Sequence, residues 1–196
     1  MLHSIFALEL CVRMDWGDPL RLALARTLEE SVRGDPPPRL SLHAKWEQYR
    51  RLASLLLEAQ GQWERGCWDY FDDDARALKD FEMWSQGMIT EEGPRREPSA
   101  AVDPYRGGEG RFLTLTMALL LVQGSPADRM LNDLCRIPDS VMWRRESFAK
   151  LLRGLSSVSF ASVKGDVVYL IPRDEGWGLT AADLDHPKFE YLRPLT

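Results

Sequence analysis

The chain is short of the residues on which most protein chemistry depends. Its 196 residues include three histidines and three cysteines. Cys11, Cys67 and Cys135 stand far apart, with no CxxC pair and no Cys/His ligand spacing. Neither a zinc site nor a disulfide framework is indicated, and a reducing compartment, the cytoplasm, is the natural setting. His3, His43 and His186 form no HxxxH or HExxH pattern, and no GxSxG turn accompanies them. Long apolar runs are also missing. The best, LTLTMALLLV at 113–122, falls short of the roughly 20 residues that a membrane-crossing helix needs. The opening MLHSIFALELCVRM has no basic residue before its apolar run, is interrupted by Glu9 and lacks a small-residue cleavage site, so it is not read as a signal peptide. Positive charge is scattered: 25 Lys and Arg stand among 30 Asp and Glu, for a net charge of −5. With no basic stripe, nucleic-acid binding is disfavoured.

What the chain does have is enough apolar material for a core. Hydrophobic residues make up 44% and charged residues 28%, an ordinary balance for a soluble globular protein of this length. Residues 4–13 (SIFALELCVR) are rich in strand-compatible side chains and predict a first strand. Asp18-Pro19 offers an N-cap followed by proline at the first helical position, after which Leu20, Leu24, Leu28 and Val32 form one stripe. Gly34 and Pro36-Pro37-Pro38 end that helix. The longest helical pattern follows, with Leu42, Trp46, Tyr49, Ala53, Leu56 and Leu57 on one face. Asp72-Asp73-Asp74 caps a further helix with Leu78, Phe81, Trp84 and Met88 as its buried face, so helices are the expected content of residues 18–88. Residues 89–110, with several prolines and glycines and no periodicity, read as a loop or linker.

Beyond it, Phe112 to Val122 predicts a strand buried on both faces. Ser125-Pro126-Ala127-Asp128 reads as a capping box opening a helix with Met130, Leu131, Leu134 and Cys135 inward. Pro138-Asp139 restarts the chain, and Val141, Met142, Arg145, Phe148, Ala149 and Leu152 line the next helix up to Gly154. Val158–Val163 and Val167–Ile171 flank Lys164-Gly165-Asp166, a hairpin signal. Thr180-Ala181-Ala182-Asp183 reads as a second capping box.

No candidate chemistry outweighs a structural explanation. Gly107-Gly108-Glu109-Gly110 precedes a strand, whereas a phosphate loop precedes a helix. The Asp72–Asp74 run is better explained by helix capping and the helix dipole than by a metal. Trp63, Trp68, Tyr70 and Phe71 form the most unusual local cluster. Half exposed, they would make a hot-spot patch or a stacking surface; buried, they would join a helical layer to the sheet. Arg145 joins them as a candidate contact. Asp69, Asp72 and Glu82 are polar candidates if the cluster instead borders a small-molecule pocket.

The C-terminal part resembles the domain-of-unknown-function family 1517 of cyanobacteria, plastids and other bacteria. The likeness lies in the strand Leu113 to Val122, the helical segment after it, and the tail GLTAADLDHPKFEYLRPL, where Leu179, Thr180, Leu184, Pro187 and Leu192 follow the family's pattern. Tyr169-Leu170-Ile171-Pro172 stands where the family's last strand differs. The resemblance supplies no catalytic residues and implies a non-enzymatic or regulatory role.

The expectation is one α+β domain over 1–196, with a small mixed or antiparallel sheet of about four strands, about five helices and a C-terminal β-hairpin. Functionally it reads as a soluble, cytoplasmic, non-enzymatic interaction or regulatory module that self-associates, with no cofactor, no metal and no catalytic residue. Its partner is another protein or itself, as a homo-oligomer. The alternative is a small enzyme or ligand binder with a pocket between helices and sheet, closed by the 89–110 loop.

Overall fold

A computed structural model describes residues 1–15, 18–29, 40–85, 111–172 and 178–196. The 89–110 loop or linker, its glycines, Met88, Trp16, Trp177 and the proline run lie outside the described residues. In chain order the elements are β1 (His3–Met14), α1 (Pro19–Glu29), α2 (Leu42–Glu58), β2 (Trp63–Phe71), α3 (Asp74–Ser85), β3 (Arg111–Val122), α4 (Pro126–Cys135), α5 (Arg145–Leu155), β4 (Val163–Ile171), α6 (Ala181–Leu184) and β5 (Arg193–Pro194). The class is α+β, as the residue pattern implies, with five strands in the order β4-β3-β1-β2-β5. Every pairing is antiparallel, so the sheet is not mixed.

Three departures from the sequence pattern shape the molecule. The C-terminal hairpin is replaced by one strand: Val163–Ile171 continues through Lys164-Gly165-Asp166 with a shift of register against β3 at Lys164, and Phe160–Ser162 is a 3-10 turn. Gly165 serves close packing instead of a turn, since an added Cβ would lie 2.8 Å from the Phe81 ring. The extra strand, β2, comes from WERGCWDYF, inside the stretch expected to be helical. Its aromatic and alternating side chains fit a pleated surface once β1 lies alongside, in a register running from Ile5 opposite Phe71 to Leu10 opposite Gly66. The helix expected from Pro138 also divides, into a 3-10 turn at Asp139–Val141 and α5 beginning at Arg145.

Because side chains alternate across a strand, β1 feeds two cores. Phe6, Leu8, Leu10 and Val12 join Leu113, Leu115, Met117 and Leu119 of β3 beneath α1, α2, α4 and α5. Ile5, Ala7 and Cys11 face the other way, with Ala118 and Leu120, beneath α3 and the segment Leu184–Leu192. The apolar reading of 113–122 as buried on both faces holds: Leu113 to Leu121 are all buried. Sequence-proposed caps form at both places, with a difference. Thr180 and Asp183 exchange both bonds of a capping box. Ser125 caps α4 through the Asp128 N–H, but the Asp128 side chain turns instead to Gly124 N at 2.7 Å.

Candidate functional site

The aromatic cluster singled out in the sequence separates once β2 forms. Trp63 is fully buried, its indole N–H donating to the Leu56 carbonyl at 3.0 Å. Arg145 clasps the same residue from the other side, its guanidinium donating twice to the Trp63 carbonyl, at 3.1 and 2.9 Å. Its backbone N–H meets the Thr196 carbonyl. These two residues therefore tie the start of β2 to α5 and to the chain's last residues, and neither is presented to a partner. Phe71 projects from the opposite face of the sheet from Trp68 and Tyr70, with the Arg76 guanidinium over its ring at 3.2 Å.

Trp68 and Tyr70 stay together. Two residues apart on one strand, they share a face, and with Asp69, Asn132, Cys135, Arg136, Met142 and Trp143 they line an open pocket of about 350 Å³. Of the polar candidates, Asp69 borders this pocket from the strand between Trp68 and Tyr70, its carboxyl lying towards Arg76 and Asp80 on the other face. Asp72 is exposed beyond the strand, and Glu82 is exposed on α3, which packs on the other face. A larger depression of about 450 Å³ along α1 and α2, lined by Thr27, Glu47, Gln48, Arg50 and Arg51 among others, contains no aromatic side chain.

A buried polar knot holds the Tyr70 side chain in place. Asp128, at the start of α4, accepts from the Tyr70 hydroxyl at 2.6 Å, from the Ser4 hydroxyl and from the Gly124 N–H. One carboxyl group thereby joins β1, β2 and α4. Burial, and then the bond to Asp128, push the Tyr70 phenol well above its ordinary pKa. Burial likewise raises the Asp69 carboxyl, with Arg76 offsetting part of the rise and Asp80 adding to it. The Cys135 thiol is pushed up to about 12, again chiefly by burial, so it is protonated at neutral pH and a poor nucleophile. The Trp68 indole N–H is buried with no acceptor among the described residues. Such a surface suits burial of apolar groups and hydrogen bonding to a visitor better than proton transfer or nucleophilic attack. No group of three or more His, Cys, Asp or Glu side chains among the described residues could hold a metal ion.

The sequence pattern could not have supplied the far wall. Met142 and Trp143 lie more than seventy residues from Trp68, and Met142 reads there as one more apolar helix position. Only the division before α5 turns this pair towards β2. Comparison with known protein families, with characterised proteins and with solved structures gives no match to this chain.

Among the described residues, no helix is long and apolar enough to cross a membrane.

Proposed function

We propose that the protein is a soluble, cytoplasmic, non-enzymatic interaction module that binds a partner protein at the pocket beside β2. The observation that carries this reading is the lining of Trp68, Tyr70, Met142, Trp143 and Arg136 around a half-open hollow. Aromatic residues, methionine and arginine are the types enriched where proteins meet.

Self-association is the simplest version of the proposal, but at this edge it meets an electrostatic obstacle. Two copies pairing their β2 edges about Asp69 would set Asp69 against Asp69, and directly opposed like charges destabilise a sheet. A different protein is therefore the favoured occupant. Native mass spectrometry of gently purified protein tests the reading. A second polypeptide bound to the wild type and lost from Trp143→Ala is the expected result.

A small-molecule pocket is the second reading, favoured by the unpartnered Trp68 indole N–H beside a cavity of this size. A reproducible small added mass in the same spectra, with no polypeptide, would replace the first reading with this one.

A further inference from the structure

We infer that the partner docks as an extended strand on β2, with apolar residues alternating with lysine or arginine. This rests on the interaction-module reading and gives its partner a chemistry. The first observation is the state of the β2 edge. On its outer side β2 pairs with β5 only at Arg65 and Gly66. The Leu195 N–H donates to the Glu64 carbonyl at 2.9 Å, which fixes the direction in which alternate residues point. In an antiparallel ladder the backbone groups of every second residue face the same neighbour. Glu64 and Gly66 therefore face β5, and Trp68 and Tyr70 present their N–H and C=O groups off the same edge. Among the described residues no strand pairs with this stretch. The chain's own tail has already added a strand to the first part of the edge, and the site continues that line.

The second observation is what lies on each side of the vacant line. A peptide residue whose side chain turns to the Trp68 and Tyr70 face meets the pocket with Met142 and Trp143. Its neighbours turn to the face of Asp69, a half-buried carboxyl with Arg76 and Asp80 in its field, Arg76 itself paired with Asp80 at 3.3 Å, and with Asp72 and Asp73 exposed beyond the strand end, so carboxylates outnumber the one guanidinium there. The period of two in a strand thus converts two surfaces into one pattern: a large apolar side chain towards the pocket, a cation towards Asp69. The same cation removes the like-charge clash that a second copy would create.

The test is selection from a displayed library of random linear peptides against the full chain. The expected winners alternate apolar residues with Lys or Arg and protect the Trp68 and Tyr70 amides from hydrogen exchange. Synthetic versions N-methylated one residue at a time should lose tenfold or more in affinity at every second position, a pattern that leaves the protein itself unaltered. Asp69→Lys, at a half-exposed position, should weaken the same peptides about tenfold, or about 1.4 kcal/mol. Winners that tolerate N-methylation throughout, or that protect another region, would overturn strand addition while leaving the interaction module standing. A chain that selects no peptide and shows only its own dimer by native mass spectrometry would overturn the choice of partner. One that binds a small molecule instead would overturn the underlying reading.

Discussion

Glu9 lies in the middle of the central strand with 1% of its surface exposed. The Tyr191 hydroxyl donates to Oε2 at 3.0 Å, while Oε1 has no partner among the described residues. Burial raises its pKa above the ordinary value of 4.5, and the hydrogen bond from Tyr191 recovers only part of the cost. The folded state thus keeps a proton that the unfolded chain gives up. Below about pH 4.5 the group is neutral in both states and costs nothing. As pH rises from there towards the folded pKa, stability falls by up to about 1.4 kcal/mol per pH unit for this one group. Glu9→Gln should flatten that slope and be the more stable protein at pH 8. Urea unfolding at pH 5 and pH 8 measures it, and parallel pH profiles for the two proteins would contradict it. Asp128 has the opposite character, since its three hydrogen bonds satisfy what burial demands. Asp128→Ala strands two hydroxyls and an N–H, and should cost about 2–4 kcal/mol in the same assay.

At the scale of elements, the contact that sets the position of α5 against β2 is glycine against phenylalanine. A Cβ on Gly66 would lie 2.6 Å from Cε1 of Phe148, whose ring is fully buried. No flexible side-chain tip is available to give way, so Gly66→Ala should cost about 1–3 kcal/mol. Pairing it with Phe148→Leu should recover part of that loss, because the space is then shared. If the double variant is less stable than the sum of the singles, the clash is not the cause. This glycine stands within the 18–88 stretch whose pattern predicts helices. The structure gives it a different purpose, allowing the Phe148 ring to approach the backbone of a strand.

At the scale of the whole molecule, the chain's last residues protect one sheet edge. Leu195 is buried, β5 pairs with Arg65 and Gly66, and the Thr196 N–H and carbonyl bond to Trp143 and Arg145. At the other edge, the Tyr49 hydroxyl donates to the Val167 carbonyl and Lys45 pairs with Asp166, so α2 screens part of β4. A chain ending at Leu192 would lose β5 and expose the whole outer side of β2. Long unpaired edges pair with other chains. Light scattering behind a sizing column should show this truncated protein associating in a concentration-dependent way, at concentrations where the full chain does not change its mass. Equal masses for the two proteins would mean that the tail does not guard the edge.

The sequence by itself determined β1, α1, α2, α3, β3 and the caps of α4 and α6, because those signals are local. Leu20 and Leu24 repeat at helical spacing, Ser125 stands three residues before Asp128, and Leu113 to Val122 is apolar without interruption. Tertiary structure decided the rest. Trp63–Phe71 became a strand because β1 offered it a ladder and two faces to fill, and the glycines of that region give no local hint of it. Lys164-Gly165-Asp166 had the chemistry of a turn, but β3 pairs with Val163, Gly165 and Asp166 and keeps it within the strand, the irregularity being taken up at Lys164. The candidate site divides in the same way. Trp68 and Tyr70 were visible as an aromatic pair, whereas Trp63 and Arg145 proved to be a clasp within the core. The pocket's second wall, Met142 and Trp143, is brought there by the packing of α4 and α5 on the sheet. Such contacts depend on partners far along the chain, and no window of neighbouring residues contains both halves.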